Sequence, residues 1–555
     1  MKRLTKYAVL FTLVLVFSAV FLVPASADAS ESYEIFVGRY QVTSENAHDI
    51  LGDGTAVYDK TTQTLTLKNY HEETVRRMEE NGQMTEKAMS VFVGINSAPI
   101  TIVIEGECHF VGGIYNALGN VKVRDAEVTF ARSVPVCIFV HNGTLEVTDS
   151  KMELEEATFL APLFSSEEMS FGFFAGEIAM EDSEFIFDVD TAEYYNLDRI
   201  SALFCAAKSI SMLDCDVTVH TPFPVFQSVF NAYTEHLTFS QCDFSLVGQN
   251  CCFLANGVAN SGQNSTFTEL PAVRLNECDV KVKNSYVLLM ASSLVVEDSD
   301  IDASLYYAGM NLISSKKEAS YIFNNSEVSL RALDKEHMEK NIWEAHWSTL
   351  PMEQKAAWAY SFAAYVEDAV RKTNLENGGA LARAGIMIEN GASFFEGARI
   401  SIKGFSCGYL AWGETIIKIF EKTYMDLSAT KSAFTVCSTF SDCLQSTVEV
   451  TYGKKTLSKT TLPENSNSSI GTYLCSATKA GDTVSFGEGE LNYVWQVIDS
   501  MSGQSRTITI ISEGAFNPQV LWIYGGIAVF VAAIAIMYFV WIRNKTTKAE
   551  RELDA

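Results

Sequence analysis

The stretch Leu294-Val-Val-Glu-Asp-Ser-Asp-Ile-Asp-Ala303 decides how this chain folds. Leu294 and Val296 alternate with their neighbours, Glu297-Asp298-Ser299-Asp300 interrupts, and the alternation resumes at Ile301 and Ala303. Period-two alternation is the signature of a strand, so the stretch reads as two short strands joined at a small residue between polar neighbours. The same pattern recurs at Val121–Phe130, Leu145–Leu154, Ile178–Phe187, Ile210–Val219, Leu237–Leu246, Val273–Val282 and Tyr321–Leu330. Its central column is Ala126, Ser150, Ser183, Cys215, Cys242, Cys278, Ser299 and Ser326, with steps of 24, 33, 32, 27, 36, 21 and 27 residues.

Steps of 20 to 50 residues mark solenoids and arrays. Each step holds strands and no amphipathic helix, which removes leucine-rich, ankyrin and tetratricopeptide arrays; the varying step removes propeller blades. A parallel β-helix remains, in which coils stack about 4.8 Å apart and loops of any length leave the corners. The column is then a tight bend where only Ala, Ser or Cys fits, and its cysteines are small buried fillers. A disulfide between stacked column neighbours is disfavoured, because the Cβ atoms of a bridge want about 3.8 Å and the coil spacing is larger. Cys407, Cys437, Cys443 and Cys475 lie outside the column and are free to pair, with no derivable connectivity. Apolar runs such as Ser201–Cys205, Cys251–Leu254, Tyr286–Met290 and Gly385–Ile388 supply further strands of each coil.

Composition agrees with a large buried core. Of 555 residues 48 % are apolar and 20 % charged, which excludes a disordered chain. With 41 Lys+Arg against 68 Asp+Glu the net charge is −27, which argues against nucleic acid as a partner.

The ends place the chain. Lys2, Arg3 and Lys6 precede an apolar run, Tyr7 to Val23, followed by Ala25-Ser26-Ala27, the layout of a signal peptide. Val520 to Ile542 is uncharged and long enough for a membrane helix, with Arg543, Lys545, Lys548 and Arg551 directly after it. The positive-inside rule puts the C-terminus in the cytoplasm and the bulk of the chain outside, a single-pass type I membrane protein of the cell surface.

The entry segment Val42 to Leu67 carries V-T-S-E-N-A-H-D-I-L-G-D-G, then Y-D at 58–59 and T-L-T-L at 64–67. This resembles the opening of β-helix surface proteins of Gram-positive gut-type bacteria, often labelled carbohydrate-binding-domain proteins. The resemblance covers that segment and, more loosely, the repeats to about residue 440. It implies a right-handed parallel β-helix and glycan binding, and it transfers no binding residues.

The expected organisation is all-β with an inserted helical hairpin. A signal peptide spans 1–27, an N-terminal β cap and first coils 28–110, the repeats 111–330, and a helical insertion 331–380. Final coils occupy 381–444, a small β domain or terminal coils 445–514, the transmembrane helix 520–542 and a cytoplasmic tail 543–555. The insertion holds Trp343, Trp347, Trp358 and Tyr360, which either pack it on the solenoid or form a stacking platform for sugar rings. Carboxylates flank the bend column, among them Asp214, Asp216, Asp298 and Asp300; stacked like charges invite a counter-ion, and Ca2+ takes such oxygen ligands. No other cofactor is expected.

Gly-His-Gly, H-E-x-x-H, a phosphate loop and a nucleophile elbow are all missing from the sequence. The reading is therefore a non-catalytic, membrane-anchored protein that binds extracellular glycan or a surface protein. A polysaccharide lyase or glycoside hydrolase on a pectinase-like β-helix is the alternative, and a structural spacer of the envelope the second.

Overall fold

A computed structural model describes residues 31–512 except 73–77, 81–82, 86–88, 95–96, 132–136, 142, 158–169, 190–199, 222–224, 229–235, 249–250, 256–271, 314–318, 334–383, 406, 421–422, 429–431, 438–445, 453–454, 463–472, 477–482, 487–490 and 500–504. The signal peptide, the helical insertion from residue 334 on with its aromatics, the transmembrane helix and the cytoplasmic tail fall outside the described residues, while Arg331 and Ala332, expected in the insertion, end the strand Glu327–Ala332. Among the described residues no helix is long and apolar enough to cross a membrane. The chain divides into a large unit, Met1–Glu488 with Tyr493–Ile510, and a small one, Gly489–Asn492 with Ile511–Ala555; the repeat coils all belong to the large unit.

The described part is all-β, and its strands pair mainly in parallel from coil to coil. Three parallel sheets run the length of the stack. In the first, the inward residues Leu65, Ile102, Val121, Leu145, Ile178, Ile210, Leu237, Val273, Leu294, Tyr321, Ser393 and Ile417 follow one another in register. All eight sequence repeats sit on this register. Further coils lie beyond them: one through Thr101–Phe110 before the first repeat, and after residue 383 one through Ala384–Glu396 and Arg399–Lys403 and the next through Cys407–Ile419 and Tyr424–Ser428.

The bend from first to second sheet is one residue in the left-handed region. Asn69, Asp125, Asp149, Asp182, Asp214, Gln241, Glu277, Asp298 and Asn325 have φ between 46° and 55°, and Gly106 and Gly397 take the same place. Asp and Asn tolerate this region better than other side chains, and glycine is free in it. The acid or amide of the repeat is thus a backbone requirement of the bend.

The next residue is the small column, which points inward and is at most 6 % exposed from Ala126 to Ala398. Its hydroxyls close the bend's hydrogen bonds. Ser299 Oγ donates to the Glu297 carbonyl at 2.7 Å and accepts the Cys278 amide at 3.0 Å, while the Ser299 amide donates to Ser326 Oγ at 3.2 Å. Ala126 and Ser150 donate in the same way to the hydroxyls of Ser150 and Ser183. Through the three cysteines the ladder continues, the amides of Ser183, Cys215 and Cys242 serving the thiols of Cys215, Cys242 and Cys278. Each of these thiols donates to the carbonyl two residues back, at 3.1–3.3 Å.

Aromatic rings fill the interior where coils allow. Phe173, Phe204, Phe226 and Phe253 stack along the third sheet with centroids 5.0, 5.3 and 5.4 Å apart, and Phe323 lies 4.8 Å from Phe395.

Antiparallel strands close both ends. Ser32–Val37 pairs against Met89–Val93 and Ala56–Asp59 against Thr64–Lys68 at the N-terminal end. At the other end Lys455–Leu462, Thr483–Phe486 and Tyr473–Ser476 each add an antiparallel strand to one of the three sheets. Within 445–514, Ser446–Tyr452 still pairs in parallel on Cys407–Ile419, and the antiparallel strands give the stack an edge cover, which it needs to avoid pairing with another chain.

Candidate functional site

Outward faces differ among the sheets. On the first and second sheets polar side chains alternate with the core and reach from coil to coil. Lys122 contacts Glu146 at 2.6 Å, Lys208 Glu177 at 3.0 Å, and Arg331 holds Asp302 through both carboxylate oxygens at 2.8 and 2.9 Å. Each pair spans neighbouring coils, so the stack aligns its surface groups into rows.

The most acidic row comes directly after the bend. Glu184, Asp216, Asp243, Asp279, Asp300 and Glu327 are register partners on six successive coils. Asp182, Asp214, Glu277 and Asp298 flank it at the bend residues. Desolvation at the bend, and after it the charges of Asp214 and Asp149, raise the exposed Asp182 carboxyl from its ordinary value. Lys281 answers Asp279 at 2.5 Å.

The four aspartates proposed from sequence therefore fall into two pairs. Asp214 and Asp216 bracket Cys215, and Asp298 and Asp300 bracket Ser299, three coils further on, about 14 Å by the coil spacing. They do not meet around one ion. Among the described residues no three carboxylate, imidazole or thiol groups converge so as to hold a metal. The aromatic platform of Trp343, Trp347, Trp358 and Tyr360 lies outside the described residues.

The third sheet is buried on both sides. Its outward column includes Tyr115, Phe139, Leu254, Met290, Met387 and Leu410, each at most 9 % exposed. Phe92, Tyr115 and Phe139 stack in it at 5.2 and 5.3 Å, and burial pushes the Tyr115 phenol up to about 12. Asn311 sits in this column between Met290 and Met387, 1 % exposed, with both amide atoms unpartnered. The signal for it in the sequence is an amide inside the apolar run Ala308-Gly-Met-Asn-Leu-Ile313.

The column thiols pull one another's acidities apart, the contact with Cys242 lowering the Cys215 thiol. Contact with the neighbouring thiol, with burial added, raises Cys278 and holds Cys242 at about 12. Among the described residues, Cys108, Cys137, Cys215, Cys242, Cys251 and Cys278 are free thiols and buried, and Cys205, Cys252 and Cys407 are buried as well.

The fold thus defines an all-β protein on long parallel sheets coiled like a solenoid, with rows of charged side chains on two of its faces. Compared with known proteins, the chain matches no family model, no curated sequence and no solved structure.

Proposed function

We propose that this protein is a cell-surface β-helix, anchored by the segment 520–542, that binds extracellular carbohydrate or another surface partner without catalysis. The observation that carries the reading is the coil-to-coil alignment of outward side chains. A partner with its own repeat, such as a polysaccharide chain, meets the same kind of contact on successive coils. Many weak contacts held in fixed geometry then add as linked binding units do. The signal-like and membrane-helix-like ends support display outside the cell. Right-handed coiling is the sense that parallel crossovers take in nearly all sheets.

A glycan array and a product assay on the fragment 28–515 test the proposal. Binding without release of shorter saccharides is the expected result. Cleavage supports the lyase or hydrolase alternative, and silence in both assays points to a spacer.

A further inference from the structure

Glu72 is a buried carboxyl that neither the coil pattern nor the proposed surface role uses. It is 7 % exposed and lies where the N-terminal cap meets the first coil. Its amide donates to the His109 carbonyl at 3.1 Å, which fixes it beside the second sheet. Its side chain turns to Ser90 of the strand Met89–Val93, and the Ser90 carbonyl accepts the amide of Gly38, in the turn that joins the two outermost strands.

At this point one hydroxyl proton is claimed by two acceptors when Glu72 is a carboxylate. Ser90, fully buried, carries one hydroxyl proton and two lone pairs. Two acceptors compete for that proton, Glu72 Oε2 and the Gly112 carbonyl at 2.9 Å, while the Gly112 amide already donates to Ser90 Oγ at 2.8 Å. With Glu72 ionised, two acceptors share the one Ser90 proton, and Glu72 Oε1 stays buried without a hydrogen bond. With Glu72 protonated that competition ends: the acid donates to Ser90 Oγ, and Ser90 donates to the Gly112 carbonyl.

We infer that Glu72 is the neutral acid in the closed cap, and that its ionisation loosens the strands Ser32–Val37 and Met89–Val93 from the first coil. The groups facing it are Tyr70 from its own segment, Ser90, the Val111–Gly112 backbone and Gly38. Of these the Tyr70 phenol alone titrates; burial, and then the Glu72 charge, push it above the usual phenol range. Among the described residues no lysine, arginine or histidine pairs with Glu72. Burial raises its carboxyl, against the Ser90 hydroxyl and the Val111 and Gly112 amides, which favour the anion. An acid held above its free value takes up a proton on folding, so this contribution is complete in acid and is lost as pH rises through the folded value. The device acts on the chain end that must be covered to keep the first coil from pairing with another molecule.

Two measurements on the full chain in detergent test this. Infrared difference spectra between wild type and Glu72→Gln should show a protonated carboxyl band lost in the variant at neutral pH. Exchange of the amides in Ser32–Val37 and Met89–Val93, corrected for intrinsic rates, should speed up several-fold in wild type as rising pH ionises Glu72 and stay level in Glu72→Gln. No acid band assignable to Glu72, or the same pH trend in both proteins, overturns the inference. If Glu72→Gln does not fold, wild-type exchange that does not quicken with pH overturns it equally.

Discussion

Ser299 shows what a single small residue contributes to this fold. Its hydroxyl accepts the amide of Cys278, and it donates to the carbonyl of Glu297, which also accepts the Glu277 amide of the preceding coil at 3.0 Å. Alanine keeps the size and leaves the Cys278 amide without its acceptor, at about 1–3 kcal/mol, while the Glu297 carbonyl keeps the Glu277 amide. Ser299→Ala is therefore expected to lower the urea midpoint clearly, and Ser299→Cys to lower it less, because Cys278 and Cys242 already fill the same role. The bend residue makes a separate demand. Asp298→Gly should leave stability near that of the wild type, whereas Asp298→Val, a β-branched residue forced to positive φ, should cost about 1–2 kcal/mol or more by the same measurement. The sequence showed the bend plainly, as polar, small, polar. It did not show why the first polar residue is there: an aspartate that sets backbone and an aspartate that collects cations look alike in a sequence, and only the φ angle separates them.

At the scale of strands, the acidic row and the end caps carry the consequences. Glu184, Asp216, Asp243, Asp279, Asp300 and Glu327 repel along the second sheet, so a cation in the middle should relieve them. Asp243→Lys is expected to raise the melting midpoint by roughly 1–3 °C at low salt, with the gain shrinking at high salt. The pH trend takes the sign of Asp182, whose carboxyl sits above the free value of 3.8. What it adds to stability is fully present below that value and is lost as pH rises through the raised one. For the caps, Thr483–Phe486 covers the last strand of the second sheet, Val484 opposite Leu427. Val484→Pro removes an edge pairing, and light scattering should show concentration-dependent association that the wild type lacks. Strands were legible wherever apolar alternation was regular. The sequence places final coils at 381–444, but the coil of Ser393 to Ile402 does not join the repeat column by its pattern, because glycine replaces the acid at Gly397 and a long segment separates it from the preceding repeat. The third sheet, apolar on both sides, has no alternation to read, and Asn311 within it stands out only as a break in that run.

For the large unit as a whole, stability is a sum over neighbouring coils, because nearly all parallel pairings join one coil to the next. Such a stack does not unfold in one step: a local fault opens the coils that share it and leaves distant ones closed. Phe323 and Phe395 make a sharp test. Both are fully buried, they stack at 4.8 Å with planes 9° apart, and they link the coil before the 334–383 segment to the coil after it. Phe323→Ala removes the ring and leaves a cavity, at about 3–5 kcal/mol. Hydrogen exchange is expected to quicken in Ser293–Glu297, Ser320–Asn324 and Ala384–Glu396, and to keep its wild-type rate in Thr101–Phe110 and Val121–Phe130. Uniform loss of protection would instead mean that the coils unfold as one cooperative body. The proposed surface role depends on the difference: a partner bound across several coils would then stabilise only the coils it touches, and the same exchange measurement with glycan added would map its footprint.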